Sequence, residues 1–201
     1  SIMASGFFGS ISGSSISNVI TTGAITIPTM KRTGFPPHYA GAIEAAASTG
    51  GVLMPPIMGV TAFVMAEFLA TPYSVICIAA IVPSLLYFGG LFLQIDAFAA
   101  KAGLRGLSKK ELPSIKKTIA EGWFYIIGII FLIWALLYMR LETLAPFWAS
   151  AILLVTCNIR RETRLTWQRA LNFVEAAGRV LTELVALLCA IGSIIGALSM
   201  T

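Results

Sequence analysis

Long apolar stretches separated by polar connections are the main feature of the chain. A segment of about 20 apolar residues crosses the hydrocarbon layer of a membrane, and several stretches approach or exceed that length. They cover residues 1–30, 38–68, 73–95, 122–139, 144–159 and 180–201. The pattern predicts an all-α membrane protein, built as a polytopic bundle of helices.

The first stretch is not a plain span, because small residues interrupt it. Glycine, serine and threonine dominate the run between Gly9 and Gly23. Irregular backbone is tolerated in hydrocarbon only where protein buries it or where it lines a cavity. We therefore predict a re-entrant hairpin whose tip lies near residues 12–15. Close helix packing through small residues is the alternative.

The second stretch contains a pair of glycines, residues 50–51, and a pair of prolines, residues 55–56. Proline has no N–H donor, and its ring crowds the carbonyl one turn earlier. The carbonyls near Gly51 and Val52 should therefore lose their helical partners. This predicts a broken transmembrane helix, unwound over residues 48–51 near the bilayer midplane. A simple proline kink is the alternative.

The distribution of basic residues predicts the orientation of the chain. Residues 96–121 and 158–179 are rich in Lys and Arg, whereas residues 69–73 carry none. Cytoplasmic connections of membrane proteins carry an excess of these residues. Placing both basic connections and residues 31–32 in the cytoplasm leaves Arg140 as the only basic residue outside. Residues 69–73 should then face the periplasm.

The two basic connections also carry apolar residues at three- and four-residue spacing. The residues are Leu107, Leu112, Ile115 and Ile119 in the first, and Leu165, Leu171, Val174 and Leu181 in the second. Such spacing is typical of amphipathic helices that lie in the membrane interface. An ordinary solvated helix is the alternative.

Composition supports the membrane class. The chain is 57% hydrophobic and 11% charged, whereas about a quarter of the residues of soluble domains are charged. The net charge of +5 does not indicate nucleic-acid binding, because the basic residues lie between the apolar stretches. Cys77, Cys157 and Cys189 stand apart in apolar surroundings, which predicts packing residues rather than metal ligands or disulfides.

Both interruptions bring oxygen atoms into the membrane, and this is the chemistry of a cation site. Freed carbonyls and hydroxyls suit a small hard ion such as sodium, and a helix N-terminus at the hairpin tip can hold an anion. We predict that the tip and residues 48–51 coordinate one sodium ion. Glu44 is a further candidate, because carboxyl groups inside membranes usually serve function. An interfacial ion pair with Lys31 or Arg32 is the alternative.

Several short motifs resemble the large membrane subunit of TRAP transporters. They are Gly13-Ser14-Ser15 with Asn18, Thr26-Ile27-Pro28 with Met30-Lys31-Arg32, Gly34-Phe35-Pro36-Pro37, and Glu44 to Gly51 with Met54-Pro55-Pro56. The likeness is specific over residues 9–107. It is closest to the type in which the small and large membrane subunits are fused into one chain.

The resemblance implies an elevator-type transporter with inverted repeats, driven by a sodium gradient and supplied by a periplasmic substrate-binding protein. Such a transporter imports organic anions, such as carboxylates, through the bacterial inner membrane and uses no organic cofactor. Residues 1–95 would form part of the first repeat, 96–121 a cytoplasmic linker, and 122–201 the opening spans of the second. The chain stops at Thr201 inside an apolar stretch, so we interpret it as part of a longer protein.

The resemblance also implies a sodium site between the hairpin tip and the helix break. Its residues are Ser12, Gly13, Ser14, Ser15 and Asn18 at the tip, and Ser48, Thr49, Gly50 and Gly51 beside the break at Pro55 and Pro56. Ile16 departs from the motif, since a small residue is more usual there.

A membrane-embedded enzyme and a channel or structural subunit are the alternative functions. A serine hydrolase needs a G-x-S-G turn with a histidine nearby. The nearest match runs from Ser10 to Gly13, and the only histidine is His38, in a proline-rich loop. A channel should show a pore stripe or a ring of like charges, and the sequence shows concentrated helix breaks instead. The identity of the substrate does not follow from this chain.

Overall fold

A computed structural model describes residues 2–104, 106, 115–139, 144–159 and 166–199. The helices in these ranges are α1 (Ile2–Ser12), α2 (Ser15–Arg32), α3 (Pro37–Leu53), α4 (Val60–Phe68), α5 (Tyr73–Lys101), α6 (Ile115–Leu137), α7 (Ala145–Ile159) and α8 (Trp167–Ser199). No strand occurs in the described ranges, so the predicted all-α class is confirmed.

The chain divides into two compact units, Ser1–Ala149 and Ser150–Thr201. In the first unit, α1, α2 and α3 pack against one another as a three-helix group, and α5 packs against α3, α4 and α6. The second unit contains the end of α7 and all of α8, whose described side chains are mostly exposed. The candidate site is built from the first unit alone.

The first apolar stretch folds as two helices joined by a turn at Gly13 and Ser14. Gly13 has a φ of +64°, a left-handed conformation that glycine adopts without steric cost. Ser14 is the N-cap of α2, and its side chain accepts a hydrogen bond from the Ser17 N–H. A serine at this position stabilises the start of a helix. The turn lies at the predicted tip, and the re-entrant path through the bilayer stays a prediction.

The second stretch breaks between α3 and α4, over residues 54–59. The predicted unwinding of residues 48–51 is wrong, because α3 continues through them to Leu53. The prolines do not leave the carbonyls near Gly51 free. The Met54 N–H donates to the Gly51 carbonyl at 3.0 Å, and the Gly59 N–H donates to the Val52 carbonyl at 2.9 Å. Donors beyond the helix thus replace those that the prolines lack.

Two helices are long and apolar enough, by length and composition, to cross a membrane. They are α5 over Tyr73–Lys101 and α8 over Trp167–Ala197. Shorter apolar helical segments are Ile2–Ser12, Tyr125–Leu137 and Ala145–Thr156. Large apolar side chains on α5, such as Leu85 and Leu86, are 67% and 72% exposed. A hydrocarbon environment suits such a surface better than water does.

The helix α8 corrects the predicted boundary between a basic connection and a final span. Residues 167–179 and 180–199 form one continuous helix rather than a connection followed by a span. Gly178 alone does not stop a helix, and Arg179 donates to Glu175 at 2.7 Å in the turn just before the expected junction. Pairs at this four-residue spacing support helices. The amphipathic positions Leu107, Leu112 and Leu165 lie outside the described residues.

Candidate functional site

The hairpin tip contacts the helix break. A Cβ atom placed on Gly13 would lie 3.4 Å from the Cα of Gly59 and 3.4 Å from the carbonyl oxygen of Met58. A Cβ atom placed on Gly59 would lie 3.2 Å from the carbonyl oxygen of Gly13. This contact, which we name the tip–break junction, brings together backbone oxygens from two helix interruptions. Small hard cations accept such ligands in transporters.

The first turn of α5 holds the break in place. The Tyr73 hydroxyl donates to the carbonyl oxygens of Pro56, at 3.1 Å, and of Ile57. Cys77 places its sulfur 3.1 Å from the same Pro56 oxygen. The Tyr73 ring is buried and stacks on Phe63 of α4, with ring centroids 4.2 Å apart. Side chains of α4 and α5 therefore fix the irregular backbone.

The glycines at 50 and 51 serve packing rather than unwinding. A Cβ atom on Gly51 would lie 2.8 Å from the Cα of Gly9, and one on Gly50 would collide with the ring of Tyr87. Helices α1 and α3 therefore cross backbone to backbone, at a distance that only glycine permits. Gly50 and Gly51 therefore act as packing residues inside a continuous helix, and their predicted role as unwound cation ligands does not fit this geometry.

Glu44 lies at the centre of the three-helix group, with no exposed surface. Its Oε1 atom accepts hydrogen bonds from Ser5 of α1 and Thr22 of α2, both at 2.5 Å. Its Oε2 atom accepts one from Thr26 at 2.5 Å, and Ser48 lies 3.4 Å from Oε1. In the part of the chain that the structure describes, no ion pair joins Glu44 to a basic residue. The interfacial pairing with Lys31 or Arg32 is therefore wrong.

Asn18 extends this buried network. Its Nδ2 atom donates to the Ser5 carbonyl at 2.7 Å, and its Oδ1 atom lies 3.0 Å from the Thr22 hydroxyl. The side chain has no exposed surface. We name Ser5, Asn18, Thr22, Thr26, Glu44 and Ser48 the Glu44 cluster. Two predicted sodium ligands, Asn18 and Ser48, therefore lie in this network between helices and not at the tip–break junction.

Comparison with protein families decides the class of the protein. A family model described as "Tripartite ATP-independent periplasmic transporter, DctM component" matches residues 1–201. The chain belongs to the DctM family. The resemblance to the large membrane subunit of TRAP transporters is therefore confirmed, and the chain is a membrane component of such a transporter.

Two curated relatives match parts of the DctM chain. The "C4-dicarboxylate TRAP transporter large permease protein DctM" of Pseudomonas aeruginosa is 30% identical over 122 residues, which cover 61% of this chain and 26% of the relative. The "Uncharacterized protein y4mL" of Sinorhizobium fredii is 24% identical over 181 residues, or 88% of this chain and 42% of the relative. The matches thus span less than half the length of either relative. No solved structure matches the chain.

The remaining predicted site residues of this DctM chain are exposed or half-buried, and the hydrogen bonds that the structure describes for their side chains join residues nearby in the chain. Ser12 donates to the Ser14 carbonyl at 3.4 Å, and Ser14 caps α2. Ser15 is the first residue of α2 and is half-buried at the tip. Thr49 is exposed and donates to the Ala45 carbonyl one turn earlier, at 2.8 Å. Of this set, only the tip residues lie near the break.

Sequence reasoning missed Ser5, Thr22, Thr26, Met58 and Gly59. A signal for the threonines was present, because residues four apart share a helix face. Thr22 and Thr26 have this spacing on α2, as do Glu44 and Ser48 on α3. Matching the two pairs would have predicted the Glu44 cluster. No comparable signal marks Met58 or Gly59, whose importance depends on contacts made by the folded hairpin.

Proposed function

We propose that this DctM chain is part of the membrane permease of a sodium symporter that imports organic anions delivered by a periplasmic substrate-binding protein. Membership of a family described as a periplasmic transporter supports the class and the partner. The P. aeruginosa relative is named a C4-dicarboxylate permease, so C4-dicarboxylates are the first substrates to test. The contact between Gly13 and Met58–Gly59 is the observation that carries sodium binding.

The proposed sodium site lies at the tip–break junction rather than along residues 48–51. The Gly13 carbonyl oxygen lies near Gly59 there, and the Met58 carbonyl oxygen lies near Gly13. Ser15, which carries a hydroxyl, is the first residue of α2. Oxygen atoms are the ligands that hard monovalent ions need, and interrupted helices supply them inside membranes. One ion held by both elements would couple its own binding to the closure of the junction.

The start of α2 supports binding of an anionic substrate near the same junction. The first N–H groups of a helix lack partners within the helix, and the helix dipole places partial positive charge there. In the described contacts the Ser14 side chain accepts a hydrogen bond from the N–H of Ser17 alone. A substrate carboxylate beside Ser15 would therefore meet favourable charge and donors. Sodium and substrate would then bind at neighbouring positions, which is what coupled transport requires.

The proposed location is the bacterial inner membrane, which the chain crosses several times. The helices α5 and α8 have the necessary length and hydropathy, and a transporter fed by a periplasmic protein must act in the membrane that borders the periplasm. The lipid bilayer is therefore the surrounding partner of the exposed apolar side chains. Nucleic acid has no proposed role.

Reconstituted transport tests the proposal. Liposomes containing the complete transporter should accumulate a labelled C4-dicarboxylate when the loaded binding protein and an inward sodium gradient are both supplied. A potassium gradient of equal size and omission of the binding protein are the controls. Accumulation that proceeds equally well with potassium would contradict sodium coupling. Flux that equilibrates without accumulation would instead indicate a channel.

The geometry disfavours the serine hydrolase alternative. Ser12 is exposed near the hairpin tip, whereas exposed His38 lies in the first turn of α3. Gly51, near the other end of α3, packs beside Gly9 of α1. The rise of an α-helix over the intervening residues puts His38 about 20 Å from that crossing. A nucleophile and its base must be within hydrogen-bond reach, so these residues do not form such a pair.

A further inference from the structure

The Glu44 cluster ties both arms of the hairpin to α3. Glu44 lies on α3, and its carboxyl oxygens accept hydrogen bonds from Ser5 on α1 and from Thr22 and Thr26 on α2. The proposed transport function uses none of these four side chains as a ligand. Their hydrogen bonds nevertheless strengthen the packing of the three helices, because polar contacts are stronger in a low-dielectric interior.

The glycine crossing alone does not hold the hairpin in register. Gly9 and Gly51 meet through backbone atoms, and such a contact has no side chain that interlocks with the partner helix. Directional hydrogen bonds to Glu44 supply the missing constraint. Thr22 lies seven residues after Ser15, which is about 10 Å along a stiff helix. A shift of α2 at Thr22 would therefore be transmitted to the tip.

We propose that Glu44 is a positioning residue that holds the hairpin in register with α3 and thereby sets the sodium-binding geometry of the tip–break junction. This inference rests on the proposed function, since it concerns the same sodium site. Glu44 contacts neither ion nor substrate in this role. It acts through Ser5, Thr22 and Thr26, which place α1 and α2, and hence Gly13, against the break.

The connection can be cut without unfolding the hairpin. The Thr22 hydroxyl lies 2.9 Å from the Asn18 carbonyl, and the Thr26 hydroxyl lies 3.0 Å from the Thr22 carbonyl. Each hydroxyl has a single hydrogen, which can be donated either to Glu44 or to a carbonyl of α2 itself. Without Glu44, both threonines keep an acceptor within their own helix. We therefore expect both arms to stay helical, with the loss confined to the hydrogen bonds that join Ser5, Thr22 and Thr26 to α3.

Sodium dependence of uptake by the complete transporter tests the inference. Glu44→Ala should raise the sodium concentration for half-maximal uptake about tenfold, the effect of losing interactions of hydrogen-bond size, while uptake at saturating sodium is largely retained. Ile43→Ala is the matched control. It removes a neighbouring buried side chain that packs with Met30 and Ala40 but takes no part in the Glu44 cluster. It should lower thermal stability without changing sodium dependence.

Conservative variants keep the test decisive if Glu44→Ala fails to fold. Glu44→Gln keeps an acceptor for Ser5 and Thr22 and should restore most of the sodium affinity. Thr26→Val keeps the shape of Thr26 and removes its donor to Oε2, and we expect a shift of about threefold to fivefold. Sodium dependence in Thr26→Val equal to that of the wild type would overturn the inference. So would a sodium shift in Ile43→Ala as large as that in Glu44→Ala.

A distance measurement separates this inference from the proposed function. Spin labels at Ile16 and Thr61 of the complete transporter, both exposed positions next to the tip and the break, report the separation of the two. The distribution should broaden in Glu44→Ala and stay narrow in Ile43→Ala. A narrow distribution in both would overturn the positioning role even if transport is sodium-driven. Broadening in Glu44→Ala alone would support the positioning role even if the wild type proves independent of sodium.

Discussion

Gly13 and Gly59 pack backbone against backbone, although 45 intervening residues and two whole helices, α2 and α3, separate them in the chain. A side chain on Gly59 would approach the Gly13 carbonyl to 3.2 Å, and one on Gly13 would touch the Gly59 Cα at 3.4 Å. Gly13 also has the left-handed φ of +64°. Turn geometry and close contact therefore both require a small residue at the hairpin tip.

Replacing Gly13 with alanine should destabilise the protein and impair sodium-driven uptake. A non-glycine residue in the left-handed conformation costs about 1–2 kcal/mol. Thermal unfolding of the purified complete transporter measures the loss. Gly41→Ala is the control, because a Cβ there meets no atom within 4 Å and alanine favours the helix. Equal unfolding temperatures for the two variants would refute the requirement at Gly13.

Gly51→Ala should be more damaging than the same change elsewhere in a helix. Its Cβ would lie 2.8 Å from the Gly9 Cα and 3.0 Å from the Gly6 carbonyl oxygen, so α1 must move away from α3. Overpacking of this kind typically costs about 1–3 kcal/mol. Gly89→Ala on α5, where a Cβ meets nothing within 4 Å, is the control. Folded yield after size-exclusion chromatography compares them, and a normal yield for Gly51→Ala would contradict the crossing.

Two serine variants distinguish the tip–break junction from the Glu44 cluster. Ser15→Ala removes a hydroxyl at the tip and should raise the sodium concentration for half-maximal uptake about five- to thirtyfold, as expected for about 1–2 kcal/mol. Ser48→Ala removes a hydroxyl that lies 3.4 Å from Glu44 Oε1, and sodium dependence should change by less than about twofold. The reverse pattern would return the sodium site to residues 48–51.

The orientation of the chain is testable with single introduced cysteines. Leu69, which is 60% exposed between α4 and α5, should react as Leu69→Cys with an impermeant thiol reagent applied to spheroplasts. Lys101→Cys at the other end of α5 should react only after permeabilisation, because the basic connections face the cytoplasm. Labelling of Lys101→Cys in intact spheroplasts would invert the predicted topology. Variants at 109 and 169 extend the test to both basic connections.

Local sequence determined the helices and the places where they break. Apolar runs predict the helical class, since backbone groups in hydrocarbon must be satisfied within the segment. The glycine and serine at 13–14 and the prolines at 55–56 interrupt those runs through their own backbone chemistry. These effects act within a turn of the chain, so they can be predicted from the sequence alone. The error at residues 48–51 arose because glycine weakens a helix without necessarily ending it.

Only the tertiary structure decided which oxygens meet. Asn18 and Ser48 carry the right chemistry for a cation site, but both side chains are fully buried in the Glu44 cluster instead. The break contacts the tip through Met58 and Gly59, and neither residue type has a side chain that predicts a cation ligand. Contacts between helices depend on the geometry of their crossing and on which distant side chains meet. A periodic pattern of hydrophobic residues specifies neither.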